Sequence, residues 1–503
     1  MVSARLRLLI AAAAGALAAC GFAPFGAWPL TIAGVAVLVW LLDLATTRKG
    51  AFATGWWFGV GHFCAGLTWI ATAFTYQAKM PPALGWVTVV LLSMFLSLYP
   101  GLATLAAWSA TRSKAARVLV LAAAWMLTEW LRGHVLSGFA WNPLGVAWLD
   151  AGGVGQLASL FGGLGLSGLM IIAGGAVVLA LRRSRLSAAL TFGAVCGVAL
   201  LSGLAVPAPI TATGPMVHLV QPDIGQQQKY AADLEARHFQ RYLNLTRGAL
   251  AAPENRAPAI VAWPESAIPY FLEEDAGARA ALAALLKPGD LLLVGGEALI
   301  RDARGELTAA TNSLFVVDAG GNLRGRYDKA HLVPLGEYVP ARSVMTLIGL
   351  ARLTPGDIDF RAGPGPRTLA LPGFADVGIQ ICYEMIFPAE VVDPAKRPAW
   401  LLNVSNDAWF GPSGPPQHMA QARLRAIEEG LPVARATPTG VTGMIDARGR
   451  IVAQAEAHRI AVVSARLPAP LPPTLFARFD HATSAVFGAL LLLAAVWAGR
   501  KRI

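Results

Sequence analysis

Charge is what this chain has least of. Only 14% of its 503 residues are Asp, Glu, Lys or Arg, and 55% are hydrophobic, where soluble domains average about 25% charged. That balance excludes an ordinary water-soluble enzyme, and it excludes a disordered chain, which would be polar. Cysteine is rarer still: four in the chain, too few for a disulfide scaffold. No Gly-x-y period accompanies the 52 glycines, which excludes a collagen-like rod. No Cys/His cluster has the spacing of a metal site, so neither a metal nor an organic cofactor is implied. Internal repeats are lacking too, and low complexity is confined to the alanine-rich leader. The length suits roughly two to four domains.

The charge that is present divides unevenly. A net charge of +11, from 41 Lys+Arg and 30 Asp+Glu, could mark a nucleic-acid partner. Residues 206–481, however, hold 26 basic and 27 acidic residues. The remainder holds 15 basic residues and only three acids, Asp43, Glu129 and Asp150. The basic excess therefore lies in short connectors between apolar runs, not on a folded surface. No nucleic-acid partner is expected; a membrane protein with a nearly neutral soluble domain is.

A bilayer-spanning helix needs about 20 mostly apolar residues. Seven candidate runs precede residue 206, at 6–22, 28–44, 52–74, 84–108, 118–131, 155–181 and 186–204; an eighth covers 482–499. Any one could be a buried core helix, but eight with basic flanks read as spans. Alternate connectors, from Arg5 and Arg7 to Arg500, Lys501 and Arg502, carry 13 basic residues, and the opposite ones only Lys79 and Arg132. By the positive-inside rule both termini are cytoplasmic, and the domain after the seventh run lies outside. The few ionisable residues in the runs (Asp43, His62, Glu129) argue against an ion pathway. Leu17-Ala18-Ala19-Cys20 has the form of a lipoprotein cleavage site. Orientation is the same cut or uncut, and the uncut chain is the expectation adopted. The expected division is a membrane domain over 1–206, an exported domain over 207–481, and a terminal helix with basic tail over 482–503.

Val206-Pro207-Ala208-Pro209 reads as the linker into the exported domain. Strands are expected at 216–220, 260–263, 291–294, 313–317, 323–327, 377–381, 400–404 and 441–445, with a hairpin turn over 319–322. Helices are expected at 232–250, 276–286 and 417–429. Strands alternating with helices imply a layered α/β domain.

Three polar signals interrupt it. Glu265, in Trp263-Pro264-Glu265-Ser266 after a strand, could be a general base or a cap on the following turn. Lys329, in Tyr327-Asp328-Lys329-Ala330-His331, could be a surface charge past a strand end. Cys382, in Ile381-Cys382-Tyr383-Glu384, could be a small core residue. The other cysteines, Cys20, Cys64 and Cys196, fall in apolar runs. Cys382 thus has no disulfide partner in its own domain. Taken together the three fit acyl transfer: a thiol nucleophile, a carboxylate base and a cation for the oxyanion, all placed at strand ends.

In order and local context, Glu265, Lys329 and Cys382 resemble the Glu-Lys-Cys triad of the nitrilase superfamily, the carbon–nitrogen hydrolases. That resemblance implies an αββα sandwich. The strings from Tyr327 to Pro340, Ile381 to Glu384 and Asn406 to Gly411, with Gln417-His418, are similar to one membrane-bound branch, the apolipoprotein N-acyltransferases. The branch's seven helices, periplasmic nitrilase-like domain and final helix match the order of the runs. The resemblance implies Glu265 as base, Lys329 as oxyanion support and Cys382 as nucleophile. Glu337 and Glu384 match acidic positions that orient Lys329 and the incoming amine. Tyr383 and Trp409 match residues lining the acyl-accepting pocket, and Tyr230 stands where the family often has Trp. Asp223 and Pro438 each replace a frequent Asn.

What the resemblance implies is a two-step transfer in a bacterial inner membrane. A phospholipid gives its acyl chain to Cys382, and the N-terminal amine of a diacylglyceryl-cysteine apolipoprotein takes it. Residues 344–350 read either as a lipid-contacting arm or as a buried helix. Superfamily chemistry also permits a membrane-tethered amidase or nitrilase that hydrolyses the thioester. A non-catalytic receptor or transporter built on the same domain is a third reading.

Overall fold

A computed structural model describes residues 3–76, 81–182, 210–229, 234–253, 257–339 and 360–500. The first six apolar runs fold as α1 (Ala4–Ala19), α2 (Trp28–Asp43), α3 (Arg48–Gly66), α4 (Ala83–Leu96), α5 (Leu98–Ala110), α6 (Lys114–His134) and α7 (Ala158–Leu181). Hydroxyl caps open several of them: Ser3 Oγ accepts from Leu6 N, and Thr47 Oγ1 from Gly50 N at 3.1 Å. The fourth run is divided at Ser97, because Pro100 has no N–H for the preceding turn. Glycine lets α1 and α3 meet backbone to backbone. A Cβ at Gly61 would lie 1.8 Å from Ala12 O, and one at Gly15 1.9 Å from Phe58 O. Asp43, at the end of α2, binds the guanidinium groups of Arg117 (2.7 Å) and Arg182. The run at 186–204, the linker at 206–209 and the segment at 344–350 lie outside the described residues.

The second part is a sandwich of two six-stranded sheets. Its strands are β1 (Met216–Gln221), β2 (Ile260–Ala262), β3 (Leu291–Arg301), β4 (Leu307–Asp318), β5 (Leu323–Asp328), β6 (Thr368–Leu369), β7 (Val377–Ile381), β8 (Trp400–Val404), β9 (Val433–Ala436), β10 (Gly443–Ile445), β11 (Ile451–Gln454) and β12 (Ala461–Arg466). One sheet runs β12-β1-β2-β3-β4-β5 and the other β11-β10-β9-β8-β7-β6. Side-chain alternation explains the layering. Val217, Leu219, Leu291, Leu293, Leu314 and Val316 face Ile379, Ile381, Leu402, Val404 and Ala434 between the sheets. On the outer face of the first sheet, Val261, Trp263, Leu292, Val294 and Phe315 pack against Tyr242 and Leu243 of α8 (Glu235–Leu250) and Leu282 of α9 (Ala276–Ala283). On the outer face of the second, Leu401, Val433 and Ile445 pack against α10 (Gly414–Glu429) through Met419, Ala422 and Ala426. This is the αββα arrangement expected.

The expected strands are all present. The one at 441–445 begins only at Gly443, and β6, β9, β11 and β12 were not foreseen. Strand β9 reads Val-Ala-Arg-Ala, and an arginine in a wholly buried strand hides its signal.

Helix α10 faces two ways. Ala420, Leu424 and Ile427 join Ala147, Leu166 and Met170 in the core of the helical part. Glu428 Oε1 accepts from Gly163 N at 2.7 Å. The terminal run forms α11 (His481–Arg500), which packs on the helical part through Leu491. Among the described residues, Ala83–Ala110, Gly152–Leu181 and His481–Arg500 are long and apolar enough to cross a membrane; Trp28–Asp43 is apolar but shorter.

Candidate active site

Three strand ends build the site. Beyond β2, Trp263 is fixed by stacking on Tyr242 and by donating Nε1–H to Thr246 Oγ1 at 2.9 Å. The following turn crosses β3 so closely that a Cβ at Gly295 would lie 2.3 Å from Pro264 O. That crossing turns Glu265 inward. Beyond β5, Lys329 N–H donates to Asn312 O at 2.8 Å, and the side chain is 1% exposed. Beyond β7 the chain turns at Cys382 with φ of +52°, the left-handed region that a non-glycine residue occupies only under constraint. Cys382 is buried and opens a one-turn helix to Ile386.

Lys329 Nζ lies 2.9 and 3.0 Å from the two carboxylate oxygens of Glu337, and 3.5 Å from Glu265 Oε1. Glu265 accepts from Asn312 Nδ2 at Oε1 and from Asn406 N at Oε2, both at 2.7 Å. Asn312 Nδ2 also donates to Glu337 Oε1 at 2.9 Å, so one amide ties the two carboxylates together. Val333 N–H closes the far side of Glu337 at 2.8 Å. Burial by itself would lower the Lys329 pKa, but the carboxylates of Glu337 and Glu265 more than offset it and raise it. The ammonium stays charged. Burial, reinforced by Glu265 and opposed by Lys329, raises the Cys382 thiol. At neutral pH it rests protonated, and a base must take its proton when it attacks.

Sequence reasoning brought Glu265, Lys329, Cys382 and Glu337 together, and the structure does so. Glu384 reaches Lys329 only through the chain that carries it. It makes no hydrogen bond to Lys329: its carboxylate accepts from Tyr327 Oη (2.7 Å), Ala330 N (2.6 Å), His331 N (3.2 Å) and Ile381 N (2.6 Å). It therefore fastens the chain after Lys329 to the strand before Cys382. Burial raises its pKa in spite of those donors.

Tyr383 is buried against Phe387, with Oη donating to Gly138 O of the helical part at 3.1 Å. Trp409 is half-buried beside Tyr76, ring centroids 5.9 Å apart. Tyr230 lies outside the described residues. Two of the three departures from the family pattern meet each other, since Asp223 N–H donates to Pro438 O at 2.8 Å. On the Glu265 side a cleft of about 210 Å³ opens between Tyr242, Tyr270, Lys229 and Pro438.

Two groups of site residues escaped sequence reasoning. Asn312 carried no signal, being one of three consecutive polar residues, Thr311-Asn312-Ser313, inside a strand. The other group is a buried cluster beneath Cys382. Asp407 Oδ1 accepts from Ser405 Oγ at 2.6 Å, and Asp407 Oδ2 pairs with the Arg435 guanidinium. His418 bridges Asp407 and Cys382 O. Burial would raise the Asp407 pKa, but Arg435 and His418 hold it down at about 2. The strings holding Asp407 and His418 were visible in the sequence, but their contact was not.

Two family models match the chain. One, described as the apolipoprotein N-acyltransferase N-terminal domain, covers residues 14–176; the other, carbon-nitrogen hydrolase, covers residues 217–471. Among curated proteins, the apolipoprotein N-acyltransferase of Rhodopseudomonas palustris is 37% identical over 504 residues, covering 97% of this chain and 94% of that one. The protein of that name from Caulobacter vibrioides is also 37% identical, covering 98% and 94%. Among solved structures, Saccharomyces cerevisiae Nit3, a nitrilase-superfamily member, aligns with a TM-score of 0.37 at 19% identity, covering 52% of this chain and 92% of that one.

Proposed function

The chain belongs to the apolipoprotein N-acyltransferase family, and we propose that it performs that family's transfer with Cys382 as the acyl carrier. It is an acyltransferase carrying a carbon–nitrogen hydrolase domain. Its donor is a phospholipid and its acceptor the free amine of a diacylglyceryl-modified N-terminal cysteine on an apolipoprotein.

In the first step Glu265 takes the Cys382 proton as Sγ attacks the ester carbonyl of the phospholipid. The oxyanion that forms is stabilised by the Lys329 ammonium, which Glu337 holds in place. Collapse breaks the ester C–O bond. The leaving alkoxide takes the proton from Glu265 and departs as a lysophospholipid, leaving a thioester. In the second step the acceptor amine attacks the thioester carbonyl and gives its proton to Glu265. The C–S bond breaks, the thiol is reprotonated, and an amide remains. The cycle is ping-pong and needs no cofactor. Tyr383 and Trp409, facing the helical part, line the path of the acyl chain; Tyr230, by its match to the family pattern, contacts substrate.

One observation carries this reading: Glu265, Lys329 and Cys382 converge from three strand ends, with the thiol held protonated beside a carboxylate. The apolar helices support a site at a membrane surface. The helical part spans the bacterial inner membrane with both termini in the cytoplasm, and the sandwich faces the periplasm, where membrane-anchored donor and acceptor meet. The test is direct. Given acyl-labelled phosphatidylethanolamine and no amine, the full chain should gain one acyl group that neutral hydroxylamine removes. Cys382→Ala should gain none. A diacylated lipopeptide should discharge the adduct faster than water does. Discharge at equal rates would favour a hydrolase instead.

A further inference from the structure

The cluster beneath Cys382 has no part in the proton transfers above, yet it touches the nucleophile's own backbone. His418 is fully buried, and its Nε2 lies 3.0 Å from Cys382 O. A carbonyl oxygen only accepts, so Nε2 must carry a proton. Its Nδ1 lies 3.1 Å from both Asp407 Oδ1 and Arg435 Nη2. One neighbour accepts and the other donates, so Nδ1 is satisfied with or without a proton. Nε2 is a donor in either state.

The place of this hydrogen bond gives it a use. Cys382 sits at φ of +52°, a conformation that a non-glycine residue holds only where its surroundings impose it. A donor fixed on the Cys382 carbonyl imposes the orientation of that peptide, and with it the direction of the Cα–Cβ bond. His418 is itself fixed from both sides. Asp407 and Arg435 hold Nδ1, while Trp141 of the helical part packs on the ring, centroids 5.3 Å apart. Trp141 Nε1–H donates to Gln417 Oε1 at 2.8 Å, anchoring the same turn of α10.

We propose that His418 is a positioning residue for the acyl transfer, holding the Cys382 carbonyl through Nε2–H so that the thiol is aimed at the Glu265–Lys329 side of the site. The proposal rests on Cys382 being the acyl carrier, and it adds the element that sets the nucleophile's direction.

Two amides separate positioning from packing. In His418→Gln the amide nitrogen reaches where Nε2 lies and can still donate to Cys382 O. In His418→Asn it reaches only where Nδ1 lies, keeping the Asp407 side and abandoning the carbonyl. With acyl-labelled phosphatidylethanolamine, His418→Asn should acylate Cys382 about 10- to 100-fold more slowly per folded molecule, the rate equivalent of one lost buried hydrogen bond. The loss should fall on kcat, with KM for phospholipid little changed. His418→Gln should retain most of the rate. Equal rates in the two variants, fast or slow, overturn the proposal, as does a change confined to KM or to the folded fraction. The wild-type protein gives a check that needs no variant to fold. Nitrogen-15 histidine spectra of the full chain in micelles should show His418 protonated at Nε2, and a signal protonated at Nδ1 alone overturns it. Hydroxylamine-labile acyl on Cys382→Ala would instead refute the carrier itself, while leaving the His418 tautomer to be read independently.

Discussion

Replacing Glu265 by glutamine removes one charge from the middle of the site and tests the proposed base. A general base in this role contributes about 10²–10⁴ in rate, or about 3–5 kcal/mol of barrier at 1.36 kcal/mol per decade. The structure adds a second cost. Glu265 offers two acceptor oxygens to two donors, Asn312 Nδ2 and Asn406 N, each at 2.7 Å. Glutamine has one oxygen. If it keeps the Asn406 main-chain N–H, its NH₂ faces the Asn312 NH₂. Asn312 cannot flip to relieve this, because its Nδ2 also serves Glu337 at 2.9 Å. A flip would turn Oδ1 onto that carboxylate. One buried donor is therefore left unpaired, at about 1–3 kcal/mol of stability. Glu265→Gln should thus lose 10²–10⁴-fold in the rate of Cys382 acylation at pH 7 and a few degrees of thermal midpoint. Rapid quench with labelled phospholipid reads the rate, and circular dichroism melting reads the stability. Acylation within tenfold of wild type would refute Glu265 as the base.

Three further outcomes are expected. Burial, with Glu428 beside it and against Arg397, raises the Glu429 carboxyl to about 7. A raised carboxyl adds stability that is full below its unfolded pKa of 4.5 and lost as pH rises through about 7. Glu429→Gln should therefore melt higher than wild type at pH 8, by up to about 3 kcal/mol, and no higher at pH 4.5; the same difference at both values would refute the charge argument. Gly138 has φ of +73°, and a Cβ there would lie 2.0 Å from Gly133 O and 3.1 Å from the Phe387 ring. Gly138→Ala should destabilise the chain by about 1–3 kcal/mol and slow acylation through the Tyr383 contact, and an alanine variant that melts and acylates normally would show the contact to be idle. For orientation, in spheroplasts of a chain with Cys20, Cys64 and Cys196 changed to alanine, Arg304→Cys should react with a membrane-impermeant maleimide and Lys49→Cys should not. Both positions are exposed, so the reverse pattern would overturn the topology.

The sequence by itself determined this chain's class, its two-part build and the three residues at the centre of its candidate site. Apolar runs and alternating strands are local patterns, and desolvation acts on them wherever the neighbouring elements lie. Glu265 and Cys382 were legible for a related reason: each follows a short apolar strand, so the change from hydrophobic to polar marks it, whereas Lys329 follows the polar strand Leu-Arg-Gly-Arg-Tyr-Asp and was marked by its resemblance to the family motif. What tertiary structure alone decided is where buried polar atoms find partners. Glu384, matched to a position that orients Lys329 and the incoming amine, has its oxygens taken by Tyr327 and three main-chain donors. Arg435 was overlooked because an arginine within a strand reads as exposed until Asp407 and Asn403 are placed beside it. Asn312 joins two carboxylates 47 and 25 residues away, and His418 reaches the Cys382 carbonyl across 36 residues. A buried donor or acceptor must be paired, but its partner is chosen by packing between segments far apart in sequence, and no local pattern records that choice.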